Sequence, residues 1–255
     1  RWFDFWLRGV TNGVLDEKPV AYYVMGDTFD ALAPGNTWRF ADTWPPPAEA
    51  VPWLLLPGGR LAIRETAEAV AATVDRYVFD PKSPCPTIGG RNLNIGRGPM
   101  NQSVIEQRPD VLLYDSAPLE SPVEVTGRLA AVLFVATSAR DTDFSVRLCD
   151  VQPDGRSFLM ADGYRRLRMR GATEKAEPVE PGAVYEVAVD LWSLSLVFNK
   201  GHRIRVAVTS ANHPRFDVNP GTGALWAEGC PTVPQTNRLY NSRKYPSRIL
   251  PPRPL

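Results

Sequence analysis

Residues 123–155 decide the fold, and they read VEVTGRLAAVLFVATSARDTDFSVRLCDVQPDG. The first segment, residues 125–135, is apolar on both faces of the strand that its pattern predicts, so we expect burial on both sides. A polar corner at residues 137–142 follows. Residues 143–151 then alternate apolar and polar side chains, which predicts a strand covered on one face only. A doubly buried strand beside a half-buried one is typical of the centre of a two-sheet sandwich.

A tight turn is predicted at the end of this stretch, at Pro153, Asp154 and Gly155. Proline fixes φ, aspartate can bond its own backbone, and glycine accepts the positive φ that closes a hairpin. Along the rest of the chain, about a dozen short strand-like segments are separated by turn signals. The 25 prolines oppose helices and central strands alike. The sequence therefore predicts an all-β sandwich with long irregular loops, of which residues 81–100 form the longest.

Several finer predictions concern single segments. Residues 164–169 alternate apolar side chains with arginines, which favours an edge strand protected by charge. Residues 184–191 and 194–198 predict two successive strands. The tail from Asn219 is expected to be rich in loops, with a last short strand near Ile249.

The composition excludes several partners. Lys and Arg number 29 and Asp and Glu 28, so the net charge of +1 disfavours a nucleic-acid or anionic-membrane surface. No apolar run approaches the roughly 18 residues of a membrane span, and we expect no signal peptide.

The three cysteines, Cys85, Cys149 and Cys230, are an odd number without metal spacing. They favour a reducing compartment, hence a cytoplasmic location, with Cys149 as a small buried apolar residue.

The first residues predict a short helix. Trp2 and Trp6 are spaced i,i+4, as are Phe3 and Leu7, and Gly9 supplies a stop. Such a helix is too short to be stable alone and must dock on a partner. We therefore divide the chain into a linker helix at residues 1–15 and a sandwich at residues 16–255. Because the chain starts with Arg1 in an aromatic segment, we expect it to be a piece of a longer protein.

The sequence lacks the residues that acyl-transfer catalysis requires. It contains no G-x-S-x-G motif and only two histidines, His202 and His213. His202, at the start of a predicted strand, is expected to be a hydrogen-bonded structural residue, and His213 to lie in a loop facing solvent or another domain. We predict no catalytic residue, no metal site and no cofactor.

Asp141, Asp143 and Asp150 form the densest group of carboxylates. Oxygen ligands of this kind can hold Ca²⁺, but the surrounding sequence has no calcium-loop pattern. We predict a structural motif instead, in which Asp141 and Asp143 accept backbone N–H groups at a corner and Asp150 pairs with an arginine.

Three tryptophans raise an alternative function. Trp38, Trp44 and Trp53 could form a platform on which sugar rings stack, as in a carbohydrate-binding module. Aromatic side chains more often fill a core or an interface, so this stays the second hypothesis. A third is a self-associating structural domain, since an uncovered apolar face would drive formation of a homodimer.

Several segments of the chain form a recognisable series in their order and spacing: Tyr23-Val24-Met25-Gly26, Trp38-Arg39, Trp44-Pro45, Asp80-Pro81, Gly89-Gly90, Asp110-Val111-Leu112, Asp141-Thr142-Asp143-Phe144, Pro153-Asp154-Gly155 and Gly201-His202-Arg203. In these segments the chain resembles the C-terminal domain of the Xaa-Pro dipeptidyl-peptidase and cocaine-esterase-like serine hydrolases. One departure is Asn101, which stands where the family usually has Asp before Gln102.

The resemblance implies a jelly-roll sandwich of the galactose-binding-domain-like type. In this family it packs on an α/β-hydrolase domain that carries a Ser-His-Asp triad, so this chain would hold no member of the triad. The family's long loop can wall the acyl or dipeptide pocket. If that carries over, residues 89–98 lie nearest the chemistry, with Asn92, Leu93 and Asn94 near the tip. The implied partners are the catalytic domain and, through it, a peptide or ester substrate.

Overall fold

The computed structural model describes residues 1–27, 29–30, 32–63, 73–171 and 174–254. Two α-helices lie in this part of the chain, α1 at Trp2–Arg8 and α2 at Ser103–Glu106. Neither is long enough to cross a membrane, and no other described helix is. The strands are β1 Val20–Val24, β2 Thr37–Ala41, β3 Ala48–Ala50, β4 Trp53–Leu56, β5 Arg60–Ile63, β6 Thr73–Phe79, β7 Leu112–Asp115, β8 Val123–Thr137, β9 Asp143–Val151, β10 Ser157–Arg166, β11 Tyr185–Phe198, β12 Arg203–Thr209, β13 Gln235–Asn241, β14 Arg248–Leu250 and β15 Pro252–Pro254.

One large sheet contains most of the strands and folds over on itself. One half has the order β10-β9-β12-β7, and the other is built around β8, which pairs with β11 on one side and with β13 and β14 on the other. A single parallel bridge between Arg60 and Asp115 joins the halves through β5 and β7. Two small sheets, β1-β2 and β3-β15, lie outside this path.

The two halves face each other across one apolar core. β8 contributes Leu129, Ala131, Leu133 and Val135 to this core. These alternate residues lie on one face of the strand, as their spacing predicts. The facing half contributes alternate residues of β9 and β12, and β11 adds its own. This packing of two β layers confirms the predicted all-β sandwich; the jelly-roll order of its connections stays a prediction.

The hairpin between β9 and β10 closes as predicted. Gly155 has a φ of 89°, and its N–H donates to the carbonyl oxygen of Gln152 at 2.9 Å. The strands then pair from Ser157 opposite Val151 to Arg166 opposite Asp143, with one irregularity near Leu159. Glycine is the residue that takes this left-handed conformation without a steric penalty.

The prediction that β9 is covered on one face is wrong, because all nine of its residues are buried. A second apolar cluster lies behind the sheet and covers the outer face; its members are Tyr77, Phe79, Cys85, Ile105, Val111, Ala207, Ala211 and Val218. Arg147 of β9 is buried beneath it and donates to Pro86 O at 3.3 Å and Asn212 Oδ1 at 3.2 Å. The segment after residue 80 therefore covers β9 at Arg147.

Three predictions about single segments are also corrected. The strand expected at residues 164–169 ends at Arg166, and Leu167–Met169 forms a 3-10 helix instead. The two strands expected between residues 184 and 198 are one strand, β11, interrupted by a bulge. The loop-rich tail contains β13, whose sequence QTNRLYN lacks the apolar alternation by which strands are recognised.

β10 and β11 approach each other closely at Gly163. A Cβ built on Gly163 would overlap the carbonyl oxygen of Asp190 and lie 2.9 Å from its carbonyl carbon. No side chain fits at this seam, so glycine is required there for close approach of the two backbones.

The N-terminal helix forms as predicted and ends at Gly9, which has a φ of 67°. None of its residues is buried, and its exposed apolar side chains are Trp2, Phe3, Trp6 and Leu7. Arg1 holds it to the following segment through Glu17 Oε1 at 2.5 Å and Asn12 O at 2.9 Å. The apolar face of α1 therefore lies uncovered.

Candidate functional site

The loop at residues 89–98 has a defined internal shape. Gly90 and Gly98 exchange backbone hydrogen bonds of 2.8 and 2.9 Å, which pinch the loop at its base. The Asn92 side-chain amide donates to Gly89 O at 2.6 Å and to Gly96 O at 3.0 Å. These bonds satisfy backbone carbonyls that would otherwise need water. The loop is thus a closed turn with its own framework.

The structure divides the three predicted wall residues into two kinds. Asn92 is half-buried and turns inward to hold the loop together. Leu93 is 89% exposed, and Asn94 beside it is exposed as well. A leucine presented to this extent at the tip of a braced loop suits contact with another surface. Their role as a pocket wall stays a prediction.

The foot of the loop rests on a buried glutamine. Gln102 Nε2 donates to Ile88 O and to Met100 O, both at 2.8 Å, and so joins the two ends of the loop. Asn101 uses its Oδ1 to accept from Ser103 N at 3.0 Å and Ser103 Oγ at 2.7 Å. The neutral side chain of Asn101 therefore accepts hydrogen bonds from the first residue of α2.

A buried carboxylate on β10 ties the loop to the sandwich. Asp162 accepts from Arg215 Nη1 and, at 3.2 Å, from Asn212 Nδ2. Arg91, in the loop, donates to the backbone oxygen of Asp162 at 2.7 Å and lies 3.7 Å from its carboxylate. Burial lowers the pKa of Arg91, as does the nearby charge of Arg215, whereas Asp162 raises it. One carboxylate thus serves two guanidinium groups.

Asp141 and Asp143 lie side by side at the corner before β9. Asp141 accepts the backbone N–H of Arg168 at 3.0 Å, as predicted. Asp143 does not cap a backbone group; it forms a two-bond pair with Arg166 at 2.9 and 3.0 Å and also accepts from Tyr164 Oη. Burial raises the pKa of Asp141, and the neighbouring charge of Asp143 raises it further. Asn219 bridges the two carboxylates with bonds of 3.0 and 2.9 Å.

The predicted arginine partner of Asp150 is wrong, because its partner is His202. The Nδ1 atom of His202 lies 2.9 and 3.1 Å from the two carboxylate oxygens of Asp150. The strands explain this: β12 pairs with β9 so that Ile204 is opposite Asp150, and His202 precedes β12 beside it. Arg203 instead donates to Ser116 O at 2.9 Å. Burial raises the pKa of Asp150, whereas His202 lowers it.

A cleft of about 370 Å³ opens next to this pair, between β1 and strands β9 to β11. Its walls are mainly apolar and include Met25, Phe29, Phe158 and Met160. Asp27 lies at its edge, with Oδ2 at 3.6 Å from the Nε2 atom of His202. His202 is therefore engaged by carboxylates on both ring nitrogens, as a structural histidine would be.

No nucleophile accompanies either histidine in the described part of the chain. Among these residues, no hydrogen bond joins a Ser or Cys side chain to His202 or His213, and the His213 Nδ1 atom has no hydrogen-bond partner. Burial raises the thiol pKa of Cys85 and Cys149, which opposes formation of the reactive thiolate. Among these same residues, no group of three or more His, Cys, Asp or Glu side chains could hold a metal ion.

The three tryptophans do not share one exposed face. Trp53 is only 5% exposed and lies in the main core. Trp38 packs against Tyr23 with ring centroids 5.5 Å apart, and Trp44 packs against Tyr22 at 5.3 Å. Since consecutive residues of a strand point to opposite faces, these two pairs lie on opposite sides of the β1-β2 sheet.

Sequence reasoning missed Arg91 and Asp162, whose contacts tie the loop to β10. The chain separation between Arg91 and Asp162 is 71 residues. No local pattern links residues so far apart, and the paired glycines before Arg91 are the one signal that a close backbone approach occurs there.

Comparison with known proteins identifies the domain. Residues 12–250 match the family model described as the X-Pro dipeptidyl-peptidase C-terminal non-catalytic domain. The cocaine esterase of Rhodococcus sp. is 39% identical over 264 residues, which cover 98% of this chain and 44% of the relative. The chain therefore spans less than half the length of this relative.

Solved structures with the same fold agree. An aminopeptidase from a marine sediment archaeon, Thaumarchaeota archaeon, superimposes with a TM-score of 0.84 at 27% identity, covering 98% of this chain and 42% of that one. An α-amino acid ester hydrolase gives a TM-score of 0.82 at 26% identity, with coverages of 99% and 44%. Together with the family match, these similarities show that the chain belongs to the X-Pro dipeptidyl-peptidase C-terminal non-catalytic domain family.

Proposed function

We propose that this chain is the β domain of an α/β-hydrolase-type serine esterase or peptidase. It packs on a catalytic domain, supplies no triad member, and walls part of the substrate pocket with the tip of the loop at residues 89–98. Acyl esters are the favoured substrates, because the cocaine esterase is 39% identical to this chain over nearly all of its length. Peptides with an Xaa-Pro start are the second class, after the family's own description.

The observation that carries this proposal is the contrast between the foot and the tip of the loop. The foot is braced by Gln102, Asp162 and the pinch at Gly90 and Gly98. The tip presents Leu93 almost fully to solvent. A rigid loop that exposes an apolar side chain loses little conformational entropy when it contacts a ligand or a second domain, so it suits a pocket wall.

A second feature supports a partner domain. The apolar face of α1 is uncovered, and Trp38 and Phe40 of β2 are exposed too. Exposed apolar groups of this size mark surfaces that bind another protein or domain. The relatives have room for such a domain, because the matched part covers 44% or less of the cocaine esterase and the archaeal aminopeptidase.

Without that partner, we infer that the same apolar face makes the isolated chain a homodimer, which light scattering would measure.

The buried thiols of Cys85 and Cys149 are not in disulfides, which supports a reducing, cytoplasmic location.

The carbohydrate-binding alternative is not favoured. A sugar-stacking platform needs coplanar exposed rings, and Trp53 is in the core.

Photocrosslinking tests the pocket-wall role. A full-length hydrolase containing this chain would be labelled at its active-site serine with a fluorophosphonate that carries a diazirine on a short acyl arm. After irradiation, mass spectrometry should find the crosslink on Leu93 or Asn94. A crosslink confined to residues outside this chain would contradict the proposal. Labelling of the isolated chain, which we expect to be absent, is the matched control.

A further inference from the structure

β11 is interrupted at one point, beside the loop. Its residues pair with β8 one by one except for an irregularity between Asp190 and Trp192. Trp192 has a φ of 70°, a left-handed conformation that is rare for a residue with a bulky side chain. Asp190 Oδ1 accepts the Trp192 N–H at 2.9 Å and so stabilises the bulge. Bulges in sheets commonly redirect a side chain next to a functional site.

The redirected indole meets two guanidinium groups. Arg91 Cζ lies 5.1 Å from the centre of the Trp192 ring, and Arg128 Cζ lies 5.6 Å from it. Arg128 is held in place by Asp190, to which its Nε donates at 3.1 Å. Both distances are within the range of a cation–π contact. Trp192 is 58% exposed, so it is not part of the core.

Arg91 connects this ring to the loop. It lies two residues before Leu93, and its guanidinium also donates to the backbone oxygen of Asp162 on β10. The bonds made by Asn92 and by the two glycines are internal to the loop and set its shape. The contacts made by Arg91 reach both β10 and β11, so they set the orientation of the loop on the sandwich.

We propose that Trp192 is a positioning residue: through Arg91 it fixes the direction in which the loop at residues 89–98 presents Leu93 and Asn94. Trp192 acts on the substrate only through Arg91. The effect on substrate rests on the proposed function, whereas the effect on the loop does not. The nearby carboxylates keep the arrangement in place, since Asp190 holds Arg128 and Asp162 holds Arg91.

Hydrogen exchange of this chain tests the effect on the loop. Trp192→Leu should raise the exchange rates of the Gln102 and Leu159 amides, whose bonds to Ser157 O and Met100 O join the foot of the loop to β10. The expected increase is about two- to fivefold, the size that follows from the loss of one partly exposed cation–π contact. Trp192→Phe keeps an aromatic face and should restore slow exchange. Trp38→Leu is the matched control, because this residue is also largely exposed, at 62%, but its ring packs on Tyr23 instead of on Arg91 or Arg128. Unchanged exchange in a folded Trp192→Leu chain would overturn the inference.

Arg91→Gln covers the case in which Trp192→Leu does not fold, and where both variants fold a double-mutant cycle isolates the contact between the two side chains. Arg91→Gln removes the cation and keeps the indole, and it should raise the same exchange rates. Arg91→Gln also removes the bond to Asp162 O, so its own effect should be the larger one. If the cation–π contact carries the effect of Trp192, adding Trp192→Leu to Arg91→Gln should raise the exchange rates little further. Fully additive effects would overturn the inference.

Kinetics of a full-length hydrolase that contains this chain separate the two proposals. Trp192→Leu should raise KM about two- to fivefold with little change in kcat, and Trp192→Phe should restore KM. Faster loop exchange with unchanged KM would support the positioning of the loop and contradict its proposed role as a pocket wall. Unchanged exchange would contradict the positioning role, whatever the kinetics.

Discussion

Asp162 and Arg215 form an ion pair directly beneath Gly90. A Cβ on Gly90 would lie 3.4 Å from Arg215 Nη1 and 3.6 Å from Asp162 Oδ1, so the loop backbone rests on the pair itself. Arg91 and Asn212 share the same aspartate. The stability of the sandwich and the placement of the loop thus depend on one carboxylate.

Asp162→Asn should therefore be strongly destabilising. The substitution leaves the Arg215 guanidinium, which is mostly buried, without its counter-charge. We expect a loss of about 2–4 kcal/mol in the free energy of unfolding, somewhat less than for a fully buried pair. Urea unfolding measures it. The control is Asp42→Asn, which breaks an exposed pair with Lys18 and should change stability by less than about 0.5 kcal/mol. Equal effects of the two variants would contradict this view of Asp162.

Gly163→Ala should open the seam between β10 and β11. The added methyl group would collide with the backbone of Asp190, which cannot move without disturbing the β11 bulge. We expect a loss of about 1–3 kcal/mol, the usual penalty of overpacking. Gly155→Ala is the control: its φ of 89° is strained for alanine, but no atom lies within 4 Å, so the loss should be nearer 1 kcal/mol, about that of one left-handed residue. A smaller loss of stability at Gly163 than at Gly155 would contradict the close approach of the β10 and β11 backbones at Gly163.

Asp141 predicts an unusual dependence of stability on pH. Burial raises the pKa of Asp141 in the folded protein above the ordinary value of about 4, which holds in the unfolded chain. At a pH between the unfolded and the folded pKa, the folded protein therefore keeps a proton that the unfolded chain has released. The stability that this proton contributes is complete below the unfolded pKa and is lost as pH rises through the folded pKa. The stability of the natural chain relative to Asp141→Asn should thus decrease as pH rises.

Urea titrations of both proteins between about pH 4 and pH 7 would measure this difference. Asp42→Asn, which alters an exposed carboxylate, provides the baseline for general pH effects. A stability advantage of the natural chain that grows with pH would indicate a depressed pKa at Asp141 and would contradict the burial argument.

Leu93→Ser should separate stability from function. Because Leu93 is exposed, the free energy of unfolding should change by less than about 0.5 kcal/mol. In a hydrolase that contains this chain, kcat/KM should fall about 5- to 20-fold, mostly through KM, as one apolar contact with substrate is lost. Val104→Ser, an exposed apolar position on α2, is the control and should leave the kinetics unchanged. Equal kinetics for both variants would argue against a wall at Leu93.

The pattern in residues 123–155 was sufficient to predict β8, β9, the hairpin turn that follows β9, and the sandwich. It failed where polar residues are buried by distant parts of the chain. Ser145 and Arg147 predict an exposed face, but both are buried, and Arg147 is covered by the segment after residue 80. β13 was missed for the same reason, because Asn237 is buried and donates to Thr142 Oγ1 at 3.0 Å and Ser210 Oγ at 2.7 Å instead of filling an apolar core.

The candidate site was predicted less completely than the fold. Resemblance to the family directed attention to Asn92, Leu93 and Asn94, of which the structure exposes the last two. The residues that orient the loop, Arg91, Asp162 and Trp192, come from separate strands and loops that only tertiary structure brings together. The partner of Asp150 was missed because strand register, not composition, places His202 beside it.

The most direct test is an assay of the purified chain by itself. Its described histidines have no adjacent nucleophile, and its sequence has no G-x-S-x-G motif, so the account predicts no hydrolysis of p-nitrophenyl acyl esters or Xaa-Pro anilides above the buffer rate. Saturable turnover that persists through purification would contradict the claim that this domain shapes a pocket without performing the reaction.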